Sequence, residues 1–427
     1  MPKLALHWQI LVALIAAALL GFVADATTSI LGVTVLSVCD FVGSMFLRAL
    51  KMVVVPLIVT SVIVAIAGVG DSKTLGRLGL KTAAYYVTTS TLAILIGLFV
   101  VQMIAPGIVD GEPARESIGL SGEMSEVAAK VEGKTAGDVV GVFLRMIPVN
   151  VIAAAAEGQM LGLIFFCLLF GFFLGQLPEA RRAPLLAITQ SGNDVMLRIT
   201  DWVMTFAPIG VFGLVAKVVL MTGMAALKPL AAFFFSVVLA LGIHAFVVLP
   251  LLLWTVGRVS PLRHFRAMSP AMLMAFSTAS SSATLPLTID RVQNGAGVSK
   301  RVSSFTLPLG ATVNMDGTAL YECVAALFIA QAYGLELGPT EQFTVVLVAL
   351  LTSIGVAGIP AASLVAITLI LTTIGLPVEA IGLILAVDRV LDMCRTAVNV
   401  FSDSTAAVVI ARLEGEEDVL QAPSSSS

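Results

Sequence analysis

Apolar runs recur along this chain at about 38–69, 82–104, 150–176, 191–222 and 229–256. Each is longer than the roughly 20 residues a helix needs to cross the hydrocarbon core of a bilayer. Hydrocarbon offers no partner for an amide or a carbonyl, so a chain built this way must satisfy its backbone inside helices. The fold class that follows is an all-α polytopic membrane protein. Composition agrees: 12% of the 427 residues are charged and 58% hydrophobic, against about 25% charged in soluble domains. An earlier run, Ile10 to Leu20, follows Lys3 and precedes Ala24-Asp25-Ala26, the outline of a signal peptide. With so many later spans, a first transmembrane helix is the preferred reading. The net charge of −3 is sorted by loop, and no basic patch with interleaved aromatics points to nucleic acid. Cys39, Cys167, Cys323 and Cys394 lie in apolar segments without CxxC spacing and read as small buried hydrophobes. His7, His244 and His264 are scattered and form no metal-ligand pattern. There is no GxSxG and no HExxH, so an intramembrane enzyme is disfavoured.

Loop charges orient the spans, because Lys and Arg mark the cytoplasmic side. Lys73, Arg77 and Lys81 follow the second span, Arg181 and Arg182 the fourth, and Arg258, Arg263 and Arg266 the sixth. The alternate loops hold an acidic segment, 106–138, or Lys228 alone. The N-terminus is then cytoplasmic. The next apolar stretch, about 265–289, has Arg263 and Arg266 before it and Arg291, Lys300 and Arg301 after it, so it enters and leaves from one face. Its serine-rich middle, 277–286, is a poor membrane helix and a good hairpin tip. A second broken stretch, 341–375, is interrupted at 353–360 and flanked by Glu336, Glu341 and Glu379 without Lys or Arg. It reads as a re-entrant hairpin from the opposite side. Between the two, the run from Phe305 to Ala332 is interrupted at 314–318. Broken segments in corresponding positions are a pointer to a transporter's midplane site. Eight transmembrane helices plus two hairpins leave Arg412 cytoplasmic, and the acidic, serine-rich tail from Glu414 reads as disordered.

The last helix carries an energetic anomaly. At 100° per residue, Asp388, Asp392, Arg395, Asn399 and Asp403 fall within an arc of roughly 80°, a single polar stripe. A charge at the bilayer centre costs on the order of 3 kcal/mol, so four of them must face one another, a ligand or ions. A solvated helix at the membrane edge is the plain alternative. Arg48, Lys51, Arg198 and Asp201, near segment ends, read instead as interfacial anchors. The breaks free carbonyls for a cation and amides for an anion. Asp316, Asn314, Asn399 and Asp403 add oxygens of the kind a hard cation prefers. The planar fork of Arg395 suits a carboxylate, Asp392 suits an ammonium, and the serines of the first tip suit a second carboxylate. That set describes an acidic amino acid.

NMDGTALYE (Asn314 to Glu322), SSSATLP (Ser280 to Pro286) and RTxxNVxxD (Arg395 to Asp403) closely resemble the dicarboxylate/amino acid:cation symporters, which include the excitatory amino acid transporters. The resemblance covers nearly the whole chain. It implies inverted repeats, a homotrimer in the cell membrane and an elevator mechanism. Scaffold helices 1–2 would occupy 1–76, transport-domain helix 3 77–105, an extracellular loop 106–137, scaffold helices 4–5 138–222, and the rest of the transport domain 223–413. It places substrate against Ser280, Ser281 and Ser282, the Gly358-Ile359 backbone, Thr318, Asp392, Arg395, Thr396 and Asn399. One sodium would use Gly310, Asn314, Asn399 and Asp403; a second Thr312, Ser353, Ile354 and Val356; a third Tyr86, Thr89, Ser90, Asn314 and Asp316. Met315 would link ions to substrate, and the second hairpin would be the outer gate.

Glu322, in the half-helix past the break, is read as the carrier of a co-transported proton, with potassium counter-transport, because the neuronal branch has Glu there. A carboxyl simply hydrogen-bonded within the bundle is the alternative. Two departures stand out: Ala279 and Met393 leave empty the positions where the family often has an Arg, and Ser402 replaces its usual Gly. Arg389 either substitutes for the missing Arg or pairs with Asp388. The rival functions are a proton-coupled C4-dicarboxylate symporter, a neutral amino acid symporter and, from a different class, an anion channel.

Overall fold

The structure, a computed structural model, describes residues 6–30, 32–67, 73–114, 144, 147–157, 160–222, 227–353 and 362–420. Apart from two short β-hairpins, Ser29–Ile30 with Val33–Thr34 and Ile108–Val109 with Glu112–Pro113, the regular structure is helical. In chain order the helices are α1 (Leu6–Val23), α2 (Val35–Ala67), α3 (Lys73–Ile104), α4 (Val151–Ala156), α5 (Met160–Gly175), α6 (Glu179–Met204), α7 (Ala207–Thr222) and α8 (Leu227–Ile243). There follow α9 (Leu249–Thr255), α10 (Pro261–Thr278), α11 (Ser281–Asp290), α12 (Lys300–Val313), α13 (Asp316–Ala332), α14 (Pro339–Ser353), α15 (Ala362–Ile374) and α16 (Ile381–Leu413). A π-helical turn, His244–Val248, joins α8 to α9, so the two run as one helix.

Three runs among the described residues are long and apolar enough to cross a bilayer: Arg77–Ile104, Lys228–Thr255 and, across the break, Lys300–Ala332. The apolar run expected at 191–222 comprises two helices, α6 and α7, bent by 54° where they join. Pro208 supplies the physical reason: in the first turn of α7 it has no N–H to continue the ladder of α6.

Large apolar side chains stand out from the fold, among them Leu19 (57% exposed), Phe235 (65%) and Trp254 (67%), the surface expected of a chain whose solvent is lipid. Inside, α1 and α2 pack on α7, and α2 also on α5 and α6; α13 packs on α3, α14, α15 and α16. Every residue of α13 except Gln331 is buried, and Phe328 stacks on Phe233 of α8 with ring centroids 4.6 Å apart. A helix apolar nearly all round has no face to give to solvent, which makes α13 the centre of the core.

The serine-rich tip is a helix–turn–helix. Ala279 adopts the left-handed conformation (φ 49°, ψ 39°) and ends α10. Ser280 then caps α11, its Oγ accepting from the Ala283 amide at 3.2 Å. α14 and α15 also pack on each other. The tip expected between them, including Ile354, Val356, Gly358 and Ile359, lies outside the described residues. The tail expectation is corrected over 414–420: the Leu420 amide donates to Ala296 O at 2.9 Å, and Val419 and Leu420 are buried. Cations near the end of α16 supply the partners that the acidic tail finds within the molecule.

Candidate functional site

The break between α12 and α13 consists of two residues off helical geometry, Asn314 (ψ 81°) and Met315 (ψ 59°), both buried. It opens the last carbonyls of α12 and the first amides of α13 to partners from neighbouring helices. α16 supplies one of them. The Asn399 Oδ1 accepts from the Gly317 amide at 2.8 Å, and its Nδ2 donates to Thr318 Oγ1 at 3.0 Å. Gly317 permits that approach, since a Cβ there would lie 2.9 Å from the Arg395 carbonyl oxygen.

The polar stripe runs along one continuous helix, and each of its five members is buried. Arg395 is fully enclosed. Its guanidinium donates to Asp392 Oδ1 at 2.8 Å and to Asp388 Oδ1 at 3.1 Å, and its Cζ lies 3.8 Å above the Tyr321 ring. The expected Asp388–Arg389 pairing is corrected: Arg389 reaches Asp392 Oδ2 at 3.4 Å, while Asp388 belongs to Arg395. The reason is helical spacing, since residues three apart share a face and adjacent residues do not. Thr396 Oγ1 donates to the Asp392 carbonyl at 2.8 Å. The Arg395 Nε has no partner among the described residues.

One turn further along α16, a second cluster gathers oxygens. Asn314 Nδ2 donates to Asp403 Oδ1 at 2.9 Å and to Ser402 Oγ at 3.1 Å. Ser402 Oγ in turn donates to Asp316 Oδ2 at 2.6 Å. From α3, Ser90 Oγ donates to Asp316 Oδ1 at 2.7 Å, and Thr89 Oγ1 reaches Asn314 Oδ1 at 3.3 Å. Gly310 lies against this cluster, for a Cβ there would meet Asp403 Oδ1 at 2.5 Å and the Tyr86 hydroxyl at 2.8 Å. Oxygens of hydroxyls, carboxylates and an amide dominate the cluster, with one imidazole, His244, against Asp316, a set that suits a hard cation better than a soft transition metal.

The chain is similar to known proteins over nearly its whole length. The family model for the sodium:dicarboxylate symporter family matches residues 6–413. Among similar proteins, the proton/glutamate-aspartate symporter of Escherichia coli (strain K12) is 37% identical over 417 residues, covering 97% of this chain and 94% of its own. The proton/sodium-glutamate symport protein of Geobacillus stearothermophilus is 34% identical over 416 residues, covering 97% and 96%. Excitatory amino acid transporter 3 of Mus musculus is 34% identical over 456 residues, covering 96% and 86%. The chain belongs to the sodium:dicarboxylate symporter family. It is therefore a multi-pass membrane transporter and not an enzyme.

Within this symporter the expected residues divide into three groups. Arg395, Asn399 and Thr318 meet at the break, as do Asn314, Asp316, Thr89, Ser90, Gly310 and Asp403, while Asp392 pairs with Arg395 and Thr396 donates back into its own helix. Tyr86 sits beside them, but its hydroxyl donates to the Thr306 carbonyl at 2.7 Å. Among the described residues, others show no bond to the break. Thr312 and Ser353 each donate back into their own helix, to Leu309 O at 2.9 Å and Leu350 O at 2.8 Å. Ser281 is buried and Ser282 exposed at the start of α11, which packs on α16. Gly358, Ile359, Ile354 and Val356 fall outside the described residues.

Sequence reasoning missed His244. Its Nε2 lies 3.0 Å from Asp316 Oδ2, fully buried in the π-helical turn of α8. The signal was present, because an ionisable side chain inside an apolar span calls for a named partner. Thr352 was also missed: its Oγ1 donates to Glu322 Oε2 at 2.7 Å, and Glu322 Oε1 has no partner among the described residues.

Proposed function

We propose that this chain is a secondary active transporter that couples uptake of an acidic amino acid, glutamate or aspartate, to the inward movement of cations. The observation carrying the proposal is the enclosed Arg395, held between Asp388 and Asp392 over the Tyr321 ring, directly beside the oxygen cluster at the break. The chemistry is an exchange of ion pairs. A substrate side-chain carboxylate takes the Arg395 fork, and the Asp392 carboxylate thus released takes the substrate ammonium. A neutral amino acid would leave the Arg395 charge without a substrate partner, and a plain C4-dicarboxylate would do the same to Asp392. The names of the relatives, which include glutamate and glutamate-aspartate symporters, support the substrate class.

Sodium is the cation this reading favours. One ion would lie with Gly310, Asn314, Asn399 and Asp403, and another with Tyr86, Thr89, Ser90, Asn314 and Asp316; the contacts among these residues support both. A third would use Thr312, Ser353, Ile354 and Val356. Ser280, Ser281, Ser282, Gly358 and Ile359 would close over the substrate from the two hairpin tips, and Met315 would couple ion to substrate. The chain would work as a homotrimer with cytoplasmic termini. α1, α2 and α4–α7 would form the scaffold, and the remaining helices would slide against it. Glu322 would carry a proton, with potassium returning in its place; its buried position and half-satisfied carboxyl support that role.

Proteoliposome uptake of labelled aspartate and glutamate, with sodium, proton and potassium gradients imposed one at a time, tests the proposal. Saturable uptake driven by a cation gradient is expected. Flux that needs no gradient would assign a channel instead, and no uptake under any gradient sinks the reading. Glu322→Gln should abolish the response to external pH and internal potassium; an unchanged response removes the proton role.

A further inference from the structure

Beyond α16 the chain turns back across the cytoplasmic-side cations read from the sequence. The Glu414 side chain is only 2% exposed, although three cations around it reach solvent. Its Oε1 accepts from Lys81 Nζ at 2.7 Å, and its Oε2 from Arg301 at 3.1 Å and Arg77 at 3.4 Å. Lys81 also donates to the Leu413 carbonyl at 3.0 Å, satisfying one of the orphan carbonyls at the end of α16. One carboxylate thus fastens α3, α12 and α16 together. Residues after it extend the strap: the Glu416 carboxylate accepts from the amide and hydroxyl of Ser299, and Arg263 donates to the Leu420 carbonyl at 3.2 Å.

This clasp stands in register with the candidate cation cluster. Lys81 precedes Tyr86 by five residues, and Arg301 precedes Thr306 by five. Each interval is about 7.5 Å of helix rise, and at its far end Tyr86 donates to the Thr306 carbonyl at 2.7 Å. About one further turn along α3, Thr89 and Ser90 reach Asn314 and Asp316. α3 and α12 are therefore pinned to each other at two levels before their side chains meet at the break. The lower pin is ionic and comes from a different segment of the chain.

We propose that Glu414 is a positioning residue, whose carboxylate sets the register of α3 against α12 and so fixes how Thr89 and Ser90 meet the break. Its transport consequence rests on reading that cluster as a cation site; its structural consequence does not. The full-length chain and its Glu414→Gln and Lys81→Met variants would be compared in two ways. Hydrogen–deuterium exchange on purified protein should show faster exchange over 78–90 and 301–313 in both variants, with α1 and α7 unchanged. In proteoliposomes, both variants should raise at least threefold the half-saturating concentration of whichever cation, sodium or proton, drives the wild-type chain. The maximal rate should stay within twofold. Exchange over 78–90 indistinguishable from wild type overturns the proposal, as does a fallen maximal rate with unchanged half-saturation. A wild-type chain without cation-driven uptake refutes the transport reading instead, and the exchange comparison then decides the clasp alone.

Discussion

Gly317→Ala places one methyl group at the closest approach of α13 to α16. The added Cβ would lie 2.9 Å from the Arg395 carbonyl oxygen, 3.2 Å from the Arg395 Cα and 3.2 Å from Asn399 Oδ1. Carbon and oxygen in close contact sit about 3.3–3.6 Å apart, so the overlap with the carbonyl is about 0.4 Å or more. That oxygen belongs to a helix backbone and cannot rotate away, so the first turn of α13 must retreat from α16. Overpacking of this kind costs about 1–3 kcal/mol, while Ala gains about 1 kcal/mol over Gly in helix propensity. Global stability should therefore fall by no more than about 2 kcal/mol. The site is affected more, because the same retreat stretches the 2.8 Å bond from the Gly317 amide to Asn399 and shifts Thr318. Apparent affinity for the amino acid should drop about 10- to 100-fold, equivalent to about 1.4–2.8 kcal/mol. The control is Gly242→Ala in α8, where a Cβ meets nothing within 4 Å; it should leave uptake unchanged and match or exceed wild-type thermal stability. Concentration-dependent uptake and thermal unfolding of the two variants check the comparison. Gly317→Ala with an affinity within twofold of wild type would refute the account of the break.

Three further outcomes are expected. Arg395→Lys keeps the charge but loses the planar fork and its stacking on Tyr321, so competition assays should show at least tenfold weaker recognition of acidic amino acids; equal recognition would mean the fork does not read the carboxylate. Ser402→Gly removes the hydroxyl that bridges Asn314 and Asp316, so the half-saturating cation concentration should rise several-fold with the maximal rate nearly intact, and an unchanged cation titration would remove Ser402 from the site. The Lys81 hydrogen bond, with the Lys81 and Arg77 charges, holds the Glu414 carboxyl below its ordinary value of 4.5. A depressed value means the clasp contributes fully above pH 4.5 and is lost as pH falls through the lower folded value. The exchange difference between wild type and Glu414→Gln should therefore persist above pH 4.5, decline below it and vanish only once pH has fallen through the lower folded value; a difference that disappears near pH 6 would contradict this.

By itself the sequence determined the class of the molecule and the face of each polar residue. Apolar length dictates helices that cross a bilayer, because hydrocarbon leaves no other way to satisfy the backbone. Helical periodicity puts Asp388, Asp392, Arg395, Asn399 and Asp403 on one stripe, and the structure buries all five. Broken runs were legible for the same reason: residues 314–318 interrupt an apolar segment that is otherwise continuous, and the chain departs from helical geometry at Asn314 and Met315.

Which polar groups meet was decided by tertiary packing alone. Nothing in the local pattern joins His244 to Asp316, 72 residues away, or Glu322 to Thr352, 30 away. Spacing within one helix settles which residues share a face but is silent on which other helix that face will meet. The tail shows it most plainly. Composition made 414–420 look like a solvated acidic segment, and only the folded arrangement of Arg77, Lys81 and Arg301 around one point gives Glu414 the cations that hold it.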